Sequence, residues 1–159
     1  MIRTADFIEL LWNSFDGFFE RPVFENQKSL LHYGRKRYWL EDCDEANPDS
    51  FLDRRNAARI CHQFMKIELG IKDLDDVSRA GELKDLYTCR ICTPHVAQIY
   101  CRGIMDAQLV EDDRGCCFGL EKTTSQPSLV KIFNHLKPVE KLEAEEIIEQ
   151  IKCLANNLP

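Results

Sequence analysis

The sequence predicts an all-α protein, a small helical bundle that forms a single helical domain over residues 1–159. Apolar residues recur at spacings of three and four in several segments, and residues that cap helices stand before those segments. Alternation of apolar and polar residues, which is typical of half-buried strands, is almost absent. A composition of 44% hydrophobic and 30% charged residues is that of a folded globular chain.

The N-terminal part of the chain contains two segments with helical periodicity. The first covers residues 4–19, with Thr4 as a candidate cap, and the second covers residues 23–39. The acidic stretch at 41–50 contains Asn47-Pro48, which favours a turn. We therefore expect a helix on each side of Gly17 and a loop after the second helix.

The clearest helix is predicted over residues 53–69. Asp53 is a good N-terminal cap, and Gly70 follows the last apolar residue of the stripe. Apolar residues at helical spacing form one face of this segment: Ala57, Ile60, Cys61, Phe64 and Ile67.

Three further helices are predicted in the second half of the chain. Thr93-Pro94 combines a capping hydroxyl with a proline in the first turn, which is a strong helix start. Ser125 is the candidate cap of a helix that extends to about residue 137, and a C-terminal helix covers 139–155. The bundle is thus expected to have a helix at each end of the chain.

Two parts of the chain look like degenerate copies of one helix–loop–helix unit, at approximately 39–69 and 83–137. Each copy leads through a loop to a capped helix, at Asp53 in the first and at Ser125 in the second. Such units stack on each other because one unit alone cannot cover its apolar face.

The second copy resembles the S-layer homology repeat. Residues 83–86 (LKDL), 94–100 (PHVAQIY) and 103–105 (GIM) are similar to the opening Phe-Lys-Asp-Val, the first helix and the Gly-Ile of that family. Residues 118–120 stand where the family has Phe-x-Pro, and residues 125–128 where it has Thr-Arg-Ala-Glu.

The resemblance implies a small helical module that binds an anionic cell-wall polysaccharide. If the family's residue roles apply to this chain, Arg54 is the charged contact to the ligand, and Gly103 is the position where backbone and ligand approach closely. Gln126 replaces the expected arginine, two copies stand where the family usually has three, and the start of the chain has no export signal. We therefore expect the scaffold to be kept while the partner is a protein inside the cell.

Charge and hydropathy narrow the classes of partner. A formal net charge of −6 argues against nucleic acid as a partner, because neutralising phosphates needs a basic surface. No window approaches the roughly 18 apolar residues of a membrane span, so no membrane partner is expected. These observations predict a cytoplasmic protein.

The sharpest chemical motif is Cys89-x-x-Cys92 followed by His95. Two cysteines at this spacing can share a metal, and His95 stands in the first turn of the next helix. A closed zinc site needs a fourth ligand, for which the candidates are His62, Cys61, Cys116 and Cys117.

The same two cysteines also fit a redox pair. A cysteine just before a helix has its thiolate stabilised by the helix dipole, and Arg90 adds positive charge. A third interpretation is purely structural, with most of the eight cysteines reduced and several of them buried as small apolar groups.

No catalytic motif is recognised, since the chain lacks a glycine-rich phosphate loop, a Gly-x-Ser-x-Gly elbow and a His-Glu-x-x-His helix. The first hypothesis is therefore a non-catalytic interaction module that acts through a protein partner. The alternatives are a zinc or thiol-redox protein centred on Cys89, Cys92 and His95, and a module that binds an anionic wall glycan.

Overall fold

The computed structural model describes residues 1–112 and 128–158. Cys116, Cys117, the 118–120 segment and the predicted cap Ser125 lie outside these residues. The helices in the described part are α1 (Thr4–Ser14), α2 (Gln27–Lys36), α3 (Asp42–Ala46), α4 (Arg54–Ile67), α5 (Thr93–Cys101) and α6 (Lys141–Asn156). Two short 3-10 helices span Ser78–Glu82 and Leu86–Thr88, and two strands span β1 (Gln108–Glu111) and β2 (Leu129–Ile132).

The prediction of an all-α fold is wrong, although the described residues are mostly helical. Strands β1 and β2 pair antiparallel, with Gln108 opposite Ile132 and Glu111 opposite Leu129. In its described part, the helix predicted from Ser125 to residue 137 is therefore replaced by a strand and the turn that follows it.

Contacts distant in sequence explain why this segment is a strand. Val130 and Ile132 are β-branched and fit a pleated surface better than a helix. The edge of β2 that faces away from β1 is also hydrogen-bonded, because the Lys84 N–H donates to the Lys131 carbonyl at 2.9 Å. The apolar spacing alone could not distinguish the two conformations.

A carboxylate ends β2. Asp85 accepts hydrogen bonds from the backbone N–H groups of Phe133 at 2.6 Å and Asn134 at 2.7 Å. Asn134 has a φ of 62°, in the left-handed region that asparagine tolerates better than most residues. The chain therefore turns away directly after the strand.

Helix α4 begins where the sequence predicts. The Asp53 carboxylate accepts the Asn56 N–H at 2.9 Å and so caps the first turn. Gly70, with a φ of 64°, lies in the left-handed conformation after the helix ends.

The acidic stretch that predicts a loop contains the short helix α3. Its first turn forms a capping box in which the Glu41 N–H donates to the Asp44 carboxylate at 2.8 Å. Asp44 is buried because Arg59 of α4 contacts both of its oxygens, at 2.7 and 3.0 Å. Helix formation here depends on a partner fifteen residues further along the chain.

The other helices differ from prediction mainly at their ends. Helix α1 ends at Ser14, and α2 begins at Gln27, after Asn26 caps it through the Ser29 N–H at 2.9 Å. Helix α6 coincides with the predicted C-terminal helix to within two residues at each end.

A cluster of aromatic rings joins the N-terminal helices to α4. The rings of Trp12 and Trp39 are parallel with centroids 6.3 Å apart, and Phe64 of α4 meets Trp39 edge-on at 5.2 Å. Buried apolar side chains from α1 to α6 belong to one continuous core.

Three extended backbone segments tie the ends of the chain together. Leu52 donates to the Ile2 carbonyl at 3.0 Å, Ile2 donates to the Val139 carbonyl at 2.9 Å, and Val139 donates to the Leu52 carbonyl at 2.8 Å. The segment before α4 and the segment before α6 are thereby fixed against the N-terminus.

None of the helices in the described ranges has the length and the apolar run needed to cross a bilayer. The two predicted repeat units also differ, since the first ends in helix α4 and the second contains β2 where a helix was expected.

Candidate functional site

Helices α4 and α5 pack against each other and bring two histidines into contact. The Nδ1 atoms of His62, on α4, and His95, in the first turn of α5, are 2.8 Å apart. Asp73, from the segment that joins the helices, contacts His62 Nε2 at 2.8 Å, and Lys66 contacts the other Asp73 oxygen at 3.2 Å. The four side chains form a continuous polar row.

The hydrogen-bond partners define the tautomers in this row. An ionised carboxylate only accepts, so the proton between Asp73 and His62 lies on His62 Nε2. A neutral His62 then has a lone pair at Nδ1, and His95 donates to it from its own Nδ1. His95 is left with a lone pair at Nε2, and no hydrogen bond to that atom is formed by the described residues.

The surroundings of both histidines favour the neutral rings. Burial lowers the pKa of His62, and Asp73 opposes this shift. Burial, together with the neighbouring His62 and Arg59, lowers the pKa of His95 to about 4. Both imidazoles are therefore uncharged at neutral pH.

Gln98 of α5 and Arg102, directly after the helix, fix the segment that carries Asp73. The Gln98 amide accepts the Leu74 N–H at 2.9 Å and donates to the Leu74 carbonyl at 3.1 Å. The Arg102 guanidinium donates to the Lys72 carbonyl. Asp73 is thus held between two anchored residues, beside His62.

Directly before α5, Cys89 and Cys92 form a disulfide. Cys92 is the N-cap residue of α5, and its backbone N–H donates to Cys89 Sγ at 3.3 Å. The Thr93 hydroxyl contacts the Leu86 carbonyl at 2.9 Å and the Cys89 carbonyl at 3.0 Å, which holds the turn closed.

The predicted zinc ligands are only partly brought together. His62 and His95 meet, whereas the sulfurs of Cys89 and Cys92 are bonded to each other. Cys61 is fully buried, and burial raises the pKa of its thiol far above the usual range. Within residues 1–112 and 128–158, no group of three or more histidine, cysteine or acidic side chains is arranged to hold a metal, and the zinc hypothesis stays a prediction.

Arg54, the predicted ligand contact, is 4% exposed and is surrounded by groups of the chain itself. Its Nε donates to the Phe133 carbonyl at 2.8 Å, and its two terminal nitrogens reach the Asp106 carbonyl and Glu143. Its guanidinium also lies over the Phe133 ring, 4.8 Å from the centroid. These contacts support a structural role, and the ligand role stays a prediction.

Gly103, the other predicted ligand contact, lies directly after α5. It is exposed, its φ is 70°, and its N–H donates to the Tyr100 carbonyl at 2.9 Å. The space beside its Cα is open. The conformation accounts for a glycine at the end of a helix without requiring a ligand.

A groove of about 620 Å³ lies at the C-terminal end of α2, beside α3 and α4. Arg35 and Arg59 line it, and both pair with acidic residues of the chain. Tyr38 also lines it, is 82% exposed and has a φ of 67°. A tyrosine in the left-handed region is strained, and such strain is often found at binding sites.

Sequence reasoning named His62, His95 and the two cysteines but missed Asp73, Lys66 and Gln98. Asp73 stands in an acidic turn-rich segment where several carboxylates are equivalent by sequence. Asp73 reaches His62 because the Gln98 amide holds the next residue, Leu74, against α5. No local sequence pattern indicates this contact.

Comparison with known proteins finds no matching family model, curated protein or solved structure. The similarity to S-layer homology repeats therefore stays an expectation.

Proposed function

We propose that the chain is a thiol–disulfide redox protein whose working pair is Cys89 and Cys92. The observation that carries this proposal is the disulfide between them at the start of α5. In the reduced form both sulfurs carry protons or exist as thiolates, and forming the bond releases two electrons to an acceptor.

The surroundings of the pair support reversible chemistry. The N-terminus of a helix stabilises a thiolate, and Cys92 is the residue directly before the first turn of α5. The Cys92 N–H contact to Cys89 Sγ gives a thiolate at Cys89 a hydrogen-bond donor. Thr93 anchors the turn through its hydroxyl, so the two sulfurs stay close when the bond opens.

The predicted cytoplasmic location is compatible with this role. A reducing compartment keeps most thiols reduced, and disulfides that form there are usually transient and catalytic or redox-sensing. The pair would then be a dithiol at rest and would oxidise when an acceptor arrives.

The test is a redox titration of the purified chain in thiol–disulfide buffers, with thiols blocked by a mass tag and located by peptide mapping. We expect a reversible two-electron transition of Cys89 and Cys92 between about −180 and −300 mV. The matched controls are Cys43→Ser and Cys153→Ser, which remove exposed thiols and should leave the transition in place. A pair that never re-forms its bond, or that opens only on unfolding, would contradict the proposal.

A second candidate function, the interaction module expected from the sequence, is favoured by the groove beside Tyr38. The exposed, strained tyrosine offers an aromatic contact at its rim. Tyr38→Asn removes the ring but tolerates the left-handed backbone, while Leu136→Asn alters a second exposed apolar residue. Each variant is used as the bait in a pull-down. A partner protein that is recovered less with Tyr38→Asn but not with Leu136→Asn supports this function, and equal recovery with both variants argues against it.

A further inference from the structure

We propose that the partner of the redox pair is a polypeptide disulfide with apolar flanking residues, and that Cys89 forms the mixed disulfide with it. This inference rests on the proposed function and adds the class of substrate and the order of attack. It is carried by an asymmetry between the two cysteines and by the side chains on either side of Cys89.

The two sulfurs do not have the same surroundings. Cys92 packs against the apolar core at the start of α5, while Cys89 precedes it in the turn and does not belong to that set of packed residues. The Cys92 N–H points at the sulfur of Cys89. Both residues are half-buried, but of the two Cys89 is the one outside the apolar core and the one whose sulfur has a backbone N–H donor, so we assign the attack to Cys89 and the closing step to Cys92.

The reaction balances with these assignments. The Cys89 thiolate attacks one sulfur of the partner disulfide, so a Cys89–partner bond forms, the partner bond breaks, and the second partner sulfur leaves as a thiolate. Cys92, as a thiolate, then attacks Cys89 Sγ, which closes the Cys89–Cys92 bond and expels the first partner sulfur. Two electrons pass from the pair to the partner, and water protonates the released thiolates.

The residues next to Cys89 define what can approach it. Tyr87 is 73% exposed and Ile91 is 81% exposed, and both lie within two residues of Cys89. Large apolar side chains left in solvent beside a reactive sulfur favour a partner with apolar residues of its own. A small disulfide such as oxidised glutathione offers little apolar surface to cover them.

Arg90 adds a charge preference. It is exposed, and in the described part of the chain it has no carboxylate partner. The preferred partner is therefore a polypeptide segment with apolar residues around its disulfide and an acidic residue nearby.

The experiment uses the full chain and three cyclic peptides of equal length, each closed by one disulfide. The first has apolar flanks and one Glu, the second has Gly and Ser flanks, and the third has apolar flanks and one Lys; oxidised glutathione is the small-molecule probe. In a Cys43→Ser/Cys153→Ser background, which removes two exposed free thiols, Cys92→Ser is expected to trap a one-to-one adduct on Cys89, and Cys89→Ser is expected to trap none. The reduced wild-type chain should react with the first peptide about tenfold faster than with the second.

Surface variants test the role of the apolar pair. The double variant Tyr87→Ser/Ile91→Ser should bring the ratio between the first two peptides towards one, while Val23→Ser, at an exposed apolar position in the segment before α2, should keep it. An adduct on Cys92, or equal rates for all peptides and glutathione, would overturn the inference but leave the redox function standing. Failure to react with any disulfide would overturn the redox function itself.

Discussion

His62 and His95 share one hydrogen bond between their Nδ1 atoms, at 2.8 Å, so one ring must present a lone pair to the other. Asp73 accepts from the far side of His62, which makes His62 the acceptor towards His95. The packing of α4 on α5 thus contains a polar contact that requires at least one neutral imidazole.

We predict that this contact makes stability fall as the pH falls from about 6.5 to about 4. Burial lowers the pKa of His95 to about 4, whereas in the unfolded chain it titrates near 6.5. Between these values the unfolded chain binds more protons than the folded chain, so acid favours unfolding. The loss should approach about 3 kcal/mol near pH 4.

The measurement combines urea unfolding at several pH values with an NMR titration of the histidine rings. The His95→Gln variant, which keeps a donor towards His62, should show a flatter dependence over this interval. A His95 ring that titrates at 6.5 or above would contradict the prediction.

The buried ion pair of Arg59 and Asp44 gives a second prediction. Arg59 contacts both carboxylate oxygens, and both side chains are less than a tenth exposed. Arg59→Met should therefore destabilise the fold by about 3–5 kcal/mol, because it leaves Asp44 charged and buried without its partner. The free energy of unfolding from urea titration measures this.

The comparison for this pair is Lys152→Ala, which breaks the more exposed contact to Glu149 and should cost less than about 1 kcal/mol. The double variant Arg59→Met/Asp44→Leu should recover much of the loss, since it removes both charges. If Arg59→Met lowers the free energy of unfolding no more than Lys152→Ala does, the ion pair does not stabilise the packing of α3 on α4.

A third prediction concerns Arg54, which connects α4 to three other parts of the chain. Its partners are the Phe133 carbonyl, the Asp106 carbonyl and Glu143. Arg54→Met leaves these acceptors without a donor, and we expect a loss of about 3 kcal/mol in unfolding free energy. Arg55→Met, at the half-exposed neighbouring position, should cost less than about 1 kcal/mol.

The same two variants test the ligand role that the resemblance implies. An Arg54→Met protein with wild-type stability but weaker binding to an anionic glycan would favour that role. Parallel losses of stability and glycan binding would indicate that the guanidinium acts through the fold.

Local rules predicted the elements whose determinants lie within one turn of the helix. Asp53 caps α4, Gly70 follows its end, and Thr93-Pro94 begins α5, and all three are recognisable from sequence alone. Strand β2 could not be predicted in this way, because the Lys84 N–H and the Asp85 carboxylate that hold it come from some 50 residues upstream.

The residues of the candidate site show the same difference between local determinants and contacts distant in sequence. The spacing of Cys89 and Cys92 and the position of His95 are local, so both could be named as candidates from the sequence. Whether the two sulfurs bind a metal or each other depends on the tertiary structure around them. Asp73 could not be found, because its contact with His62 depends on how α5 holds the intervening segment.

The last prediction concerns Gly34, inside α2. A Cβ at this position would lie 2.6 Å from Leu40 Cδ1 and 2.9 Å from the Trp39 ring. Alanine is favoured over glycine in a helix by about 1 kcal/mol, but the buried ring and side chain would have to move. We expect Gly34→Ala to destabilise the fold by about 2 kcal/mol, measured by thermal and urea unfolding.

Gly81→Ala is the matched control, because the space beside Gly81 is open and its φ is not in the left-handed region. It should be neutral or slightly stabilising, since alanine restricts the unfolded chain more than glycine does. Adding Leu40→Ala to Gly34→Ala relieves the closest contact but opens a cavity of its own, so the two substitutions together should cost less than the sum of their separate effects. Equal stability of Gly34→Ala and Gly81→Ala would show that Trp39 and Leu40 can yield without cost, which their burial in the core argues against.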